Sequence, residues 1–292
     1  LMMPGVAVVV SPLISLMQDQ VISLSKDGLP AAFLNSSLPY EEIQAVLRNL
    51  HELKLLYVAP ERFADLQFIS SLKQANVSLF AIDEAHCISQ WGHSFRPDYR
   101  QMSLLKREFP STPIIALTAT ATDEVKRDIA AQLLLKHPLL IKASFDRPNL
   151  SFAIQLKKNP MDQLRSFLAK HPDEPGIIYA STRASVDETY EELKSEYPRI
   201  GKYHAGLSDQ LRAQYQHDFL HGECLLMVAT VAFGMGIHKP DIRFVAHIDM
   251  PRSLEQYYQE VGRAGRDGLP SECFMLYSPQ ELKLYTLFTQ QI

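Results

Sequence analysis

The chain has 292 residues, 46% hydrophobic and 21% charged, with a net charge of −4 and a pI near 6.2. That gives room for two domains with real cores and excludes a disordered, fibrous or globally basic chain, so phosphate binding has to rest on a local patch. The three cysteines, Cys87, Cys224 and Cys273, form no CxxC pair and suit a reducing compartment, while no apolar run is long enough for a bilayer, so no membrane partner is expected.

Short apolar runs alternate with helix-length amphipathic stretches, which implies parallel sheets with helices on both faces. The N-terminus, Leu-Met-Met-Pro-Gly, lacks a basic segment and enters a strand almost at once; we read it as a cut edge. The first strands expected are Val6–Val10, Leu55–Ala59 and Leu79–Ile82. Ser11-Pro12 and Ala59-Pro60-Glu61 follow two of them as helix-start signals. The third ends in Asp83-Glu84-Ala85-His86. Open α/β sheets place ligands at such carboxyl ends. Alone, two acids at a strand end are a solvated pair. Followed by His86, and by Thr118-Ala119-Thr120 after the next strand, Ile114–Leu117, they become a metal and water site: Asp83 for Mg²⁺ through water, Glu84 for the attacking water. Thr118 is placed to relay the nucleotide state. Between them, Cys87–Arg100 interleaves Trp91, Phe95 and Tyr99 with His93, Arg96 and Arg100, a pattern suited to stacking on unpaired bases and holding phosphates.

Residues 144–149, polar and proline-bearing, form the expected linker between domains 1–146 and 147–292. Beyond it we expect strands at Ile177–Ala180, Leu225–Ala229 and Phe244–Ile248. Thr230 to Gly236 reads as a flexible segment with Thr230 available to a phosphate. Gly234-Met-Gly236 is no dinucleotide fingerprint, because position 239 is Lys. Ser253 and Gln256 have capping-box spacing. Gln256 and Gln259 share that helix and can touch the nucleotide or the acid loop. Arg263 and Arg266, three apart, share one side of the helix end, and Gly262 and Gly265 keep their surroundings narrow. An NTP-driven motor needs such arginines against the charge of the transferred phosphoryl group. No G-x-x-x-x-G-K-[ST] occurs: the sole Gly-Lys pair, Gly201-Lys202, is followed by Tyr203.

In this order the residues resemble the RecQ family of superfamily 2 DNA helicases over nearly the whole chain. VVVSPLISLMQDQV resembles motif Ia, LLYVAPERF Ib, AIDEAHCISQWGHSFRPDYR motif II with its aromatic-rich loop, ALTATAT III, GIIYASTR IV, VATVAFGMGIHKPDIRFVAH V and QYYQEVGRAGRDG VI. The aromatic-rich loop is the most family-specific. RNA helicases of the superfamily lack it, and where their motif VI begins HR or QR this chain has Gln259-Glu260. The remaining alternatives are such an RNA helicase or a non-catalytic nucleic-acid-binding module.

The resemblance implies two tandem RecA-like domains, ATP and Mg²⁺ as cofactors, and 3′ to 5′ unwinding of duplex DNA in recombination and repair. It implies single-stranded and partial-duplex DNA as partner, with single-strand-binding protein and topoisomerase partners. The expected compartment is the bacterial cytoplasm or nucleoid, or a eukaryotic nucleus. Carried onto this sequence, it gives Arg263 and Arg266 to the γ-phosphate, Arg266 as the finger. Trp91, Phe95 and Arg96 couple DNA to hydrolysis, and Ser11, Asn35 and His204 lie on or near the DNA track. The chain departs from the family in lacking the phosphate loop and the adenine-contacting segment. It also has His238 where Asn is common and Ala180 where Cys is. The zinc-binding and winged-helix modules would follow residue 292, which leaves Cys273 a lone core cysteine.

Overall fold

A computed structural model describes residues 2–12, 14–90, 95–119, 121–142, 146–234, 237 and 239–281. They fall into two compact units, Leu1–Lys142 and Ala143–Ile292.

In the first unit the chain runs β1 (Val6–Val10), α1 (Ile14–Lys26), β2 (Ala31–Leu34), α2 (Tyr40–Arg48), β3 (Leu55–Val58), α3 (Leu66–Gln74), β4 (Val77–Ile82), α4 (Ser103–Glu108), β5 (Ile114–Ala116) and α5 (Asp123–Gln132). The five strands pair in the order β2-β3-β1-β4-β5, all parallel. Val6, Val8 and Val10 point to one face, as the period of two requires, and join Phe68 and Leu72 of α3, Leu105 of α4 and Val125 and Ile129 of α5 in one core. Asp65 caps α3 by accepting from the Gln67 and Phe68 amides, and Thr122 caps α5 through the Val125 amide. The expected cap at Ser11 is corrected: its hydroxyl donates to Asp83 Oδ2 at 3.4 Å. The described residues of α1 begin at Ile14, three beyond Ser11, so Ser11 does not border the helix.

The second unit continues with β6 (Leu150–Leu156), α6 (Pro160–Leu168), β7 (Gly176–Tyr179), α7 (Arg183–Leu193), β8 (Ile200–Tyr203), α8 (Asp209–His221), β9 (Leu226–Ala229), β10 (Phe244–His247), α9 (Leu254–Val261) and β11 (Ser271–Tyr277). Its six strands pair in the order β6-β11-β10-β7-β9-β8, again all parallel. Alternation divides the sheet between two cores. Ile178, Val228, Phe244, Ala246 and Phe274 face Leu164 and Phe167 of α6 and Val186 of α7. Ile177, Met227, Val245 and Cys273 face Phe219 of α8 and Val261 of α9. The sheet is thus covered on both sides.

Candidate nucleotide and nucleic-acid site

In the first unit, β4 delivers the two acids. The Asp83 amide donates to Val10 O at 2.8 Å, and the buried Tyr99 hydroxyl donates to Asp83 O at 3.1 Å. The carboxylate takes the Glu84 amide at 2.9 Å and the Ser11 hydroxyl at 3.4 Å. Burial pushes its pKa up, and these two bonds only partly offset that. Glu84 then turns left-handed (φ 47°, ψ 44°), a conformation that costs a non-glycine residue about 1–3 kcal/mol. The turn is held by the Ala85 amide on Leu117 O at 2.9 Å and the Cys87 amide on Glu84 O at 2.8 Å. His86 Nδ1 lies 3.3 Å from Glu84 Oε2 and 3.0 Å from Thr118 Oγ1. One imidazole thus stands between the acid and the residue after β5.

The Asp83 and Glu84 carboxylates fit a hard cation that keeps its waters and substrate oxygens. Such an ion takes one or two protein carboxylates, and Asp83 is a half-buried carboxylate that, among the described residues, accepts from a hydroxyl and an amide. Among the described residues no cluster of three or more His, Cys, Asp or Glu could cage a metal.

Trp91 and His93 lie outside the described residues, as does Thr120. Phe95 is half-buried, with the Arg100 guanidinium 5.1 Å over its ring. Arg96 donates to Pro12 O at 3.2 Å, tying the aromatic-rich segment to the turn after β1. The side chains of Ser11, Asn35 and His204 are turned inward, at 1%, 0% and 5% exposure. Asn35 Oδ1 accepts from the Ser37 amide and hydroxyl. His204 Nδ1 accepts from the Gly206 amide at 3.1 Å, which fixes the tautomer and lets Nε2 donate to Asp187 at 3.3 Å. For these three the structure offers loop-shaping side chains rather than open contacts.

In the second unit, Thr230 follows β9, and its hydroxyl accepts from the Ala232 amide at 3.4 Å. The chain then passes over Arg263, whose guanidinium is buried and donates to Gly234 O. The Tyr179 hydroxyl donates to Phe233 O at 2.8 Å. Burial pushes that hydroxyl up to about 12, Arg263 partly offsetting it. Arg266 is more exposed and donates through Nη1 to Ile237 O at 3.2 Å. Burial of its head group, then Arg263 and Arg147, hold it below the usual arginine value. Thus Arg263 is built into the fold, while Arg266 is a more exposed residue tethered to the Gly262 and Ile237 carbonyls.

Both glutamines sit on α9. Ser253 caps it, accepting from the Gln256 amide at 3.1 Å. The Gln256 side chain accepts from the Arg252 amide at 3.3 Å and donates to Glu260 at 3.0 Å. The buried Glu260 pairs with the buried His247 at 2.8 Å. Sequence reasoning passed over this pair, and over Arg147 and Asn149 of the linker, whose side chains grip the carbonyls of Ala264, Gly265 and Leu269. A polar, proline-bearing stretch reads as solvated, and the only hint was its arginine.

A strand-end acid pair, a histidine link to the neighbouring strand and arginines after the last helix define the DEAD/DEAH-box class of helicases. The DEAD/DEAH box helicase domain matches residues 2–128, and the helicase conserved C-terminal domain matches residues 159–268. The chain belongs to the RecQ family. It is 47% identical over 294 residues to the ATP-dependent DNA helicase RecQ of Bacillus subtilis, covering all of this chain and 50% of that protein. It is 47% identical over 279 residues to RecQ of Haemophilus influenzae, covering 95% of this chain and 45% of the relative. The chain therefore spans about half the length of the curated relatives it matches. Among solved structures, the DUF1998 helicase MrfA bound to DNA and AMPPNP superposes with a TM-score of 0.76 at 19% identity, covering 98% of this chain and 44% of that one. At that identity the likeness establishes the fold, two RecA-like units.

Proposed function

We propose that this chain is the motor core of an ATP-dependent DNA helicase that moves 3′ to 5′ on single-stranded DNA and unwinds duplexes in recombination and repair. Residues 1–146 serve as its first helicase domain and 147–292 as its second. The observation that carries this reading is the joined set Ser11–Asp83–Glu84–His86–Thr118 at the strand ends of the first unit. Ser11 orients Asp83, which holds Mg²⁺ through water. Glu84, fixed in its turn by His86, orients the attacking water. Thr118 reports through His86 on the chain beyond β5. Arg266 meets the charge that develops on the transferred phosphoryl group, and Arg263 supports the loop carrying Gly234. Thr230, Gln256 and Gln259 line the nucleotide's approach. Trp91, His93, Phe95 and Arg96 take single-stranded DNA, the aromatic-rich loop favouring DNA over RNA. Single-strand-binding protein and topoisomerase are the partners the family suggests.

Two measurements test this. The 292-residue chain, without a phosphate loop to hold the triphosphate, hydrolyses ATP very poorly with single-stranded DNA present; ordinary helicase turnover would overturn that account. In a full-length protein that supplies the loop, Arg266→Ala loses on the order of 10³-fold in turnover while ATP affinity stays largely intact. Equal losses in both would reduce Arg266 to a binding residue. Displacement from 3′-tailed but not 5′-tailed duplexes checks the polarity.

A further inference from the structure

The second unit opens on a stretch that the reaction as described leaves without a task. Arg147 and Asn149 precede β6, yet their side chains reach across to the turn after α9. Arg147 Nη2 donates to Ala264 O at 3.0 Å and to Gly265 O at 2.7 Å. Asn149 Nδ2 donates to Gly265 O and to Leu269 O, each at 2.9 Å. Arg147 Nε reaches Asn149 Oδ1 at 3.4 Å, so the two side chains act together. The Asn149 carbonyl also accepts the Ser271 amide at 2.9 Å.

The turn needs this. Carbonyls after a helix end have no partner within the helix, and Gly265 stands at φ +53°, in the left-handed region. Ala264 is packed into the core, whereas Leu269 at the far end of the turn is 58% exposed, so that end depends on polar contacts. A guanidinium bonding two successive carbonyls is a charge-assisted, planar restraint, and it adds to the Gly265 amide on Ile242 O at 2.8 Å and the Arg243–Asp267 pair at 2.7 Å. Arg266 is the next residue after Gly265, and its direction follows from how that turn is held. An arginine that acts on developing charge loses much of its effect when displaced by about 1 Å.

We propose that Arg147 and Asn149 are positioning residues for Arg266, clamping the Gly265 turn so that the arginine is presented to the phosphoryl group without searching. The inference rests on Arg266 acting there. The clamp belongs to the segment entering the second unit, so it links that connection to the arginine by hydrogen bonds alone. The cation of Arg147 also lowers the Arg266 pKa, after burial and Arg263.

The test has two arms. Hydrogen exchange on the 292-residue chain without nucleotide compares wild type with Arg147→Ala and Asn149→Ala. Amides of residues 262–270 should exchange roughly tenfold or more faster, while β7, β9 and β10 keep their protection. In the loop-bearing full-length protein, DNA-stimulated kcat should fall by on the order of 10²-fold, with KM for ATP within about a factor of three, and Arg147→Lys should recover part of the loss. Unchanged exchange, or faster exchange with unchanged kcat, overturns the proposal. So does faster exchange across the whole second unit with a lower Tm, which marks a scaffold residue. The exchange arm uses no ATP. An Arg266→Ala protein with normal turnover would therefore defeat the catalytic reading separately.

Discussion

Gly234→Ala measures directly whether Arg263 is part of the fold. A Cβ at this position would stand 2.4 Å from Arg263 Nη2 and 2.6 Å from Cζ, against the 3.4 Å at which ordinary contact begins. The guanidinium must retreat by about 1 Å, and doing so breaks its bond to Gly234 O. Overpacking of this kind costs about 1–3 kcal/mol, and a hydrogen bond from a charged donor contributes about 1.5–3 kcal/mol. The two overlap, so the expected loss is about 2–4 kcal/mol. In an Arg263→Ala background the guanidinium is gone, and the same methyl should cost about 0.5 kcal/mol or less. The cycle therefore has a coupling of about 2 kcal/mol. Urea unfolding followed by far-UV circular dichroism reads both units, and the transition that shifts is assigned to the second by the fluorescence control. The sole tryptophan, Trp91, falls in the first unit, so its fluorescence transition should stay in place as an internal control. A Gly234→Ala loss below about 0.5 kcal/mol, or an equal loss in both backgrounds, would refute the clamp and return Arg263 to the nucleotide.

Three further outcomes are expected. Asp83→Asn should raise the thermal midpoint at pH 7. The folded pKa lies above the unfolded value of about 3.9, so ionising this carboxyl costs stability at neutral pH and nothing once both states are protonated; a lower midpoint at pH 7 contradicts this. Asp249 is held low in spite of burial by Lys157 and the Ser181 amide and hydroxyl. Its contribution is present above about pH 3.9 and lost as pH falls through the lower folded value. Acid unfolding of Asp249→Asn should thus differ from wild type at neutral pH and converge with it near pH 2; a constant difference would refute the linkage. In the loop-bearing protein, Trp91→Ala should keep basal ATPase and lose DNA stimulation and unwinding, a stacked base being worth roughly 1–3 kcal/mol. A stability loss of roughly 3–5 kcal/mol with stimulation intact would instead make Trp91 a core residue.

Most inner strands were legible in the sequence and most edge strands were not; the exceptions are the edge strand Ile114–Ala116, which was expected, and the inner strand Ser271–Tyr277, which was not. Val6–Val10, Leu55–Val58, Gly176–Tyr179 and Phe244–His247 are apolar runs covered on both faces, so composition alone marks them. The strands Leu150–Leu156 and Ile200–Tyr203 lie at sheet edges, where one side is open and polar residues are tolerated, and their patterns blur into loop; the edge strand Ala31–Leu34 is apolar but only four residues long. The Asp83-Glu84 pair was legible because its chemistry is carried by residue type. The difference between Arg263 and Arg266 was not. Both are arginines preceded by glycine, and only packing under Gly234 separates the buried Arg263 from the more exposed Arg266. Ser11, Asn35 and His204 show the same limit: a motif names the position and is silent on whether the side chain or the backbone faces outward.

The pairing of β6 with β11 has a consequence for biogenesis. The first strand of the second unit finds its neighbour some 120 residues later, in the last strand described. Vectorial synthesis therefore releases β6 long before its partner exists, with Phe152 and Ile154 more than half exposed even in the finished fold. Loop closure over that span is paid late, and the unpaired edge is open to wrong partners meanwhile. The grip of Arg147 and Asn149 on the Gly265 turn forms at the same seam, so the positioning of Arg266 and the sealing of the sheet are one folding event. A nascent chain stalled before β11 would carry every acid of the first unit and still have no presented arginine.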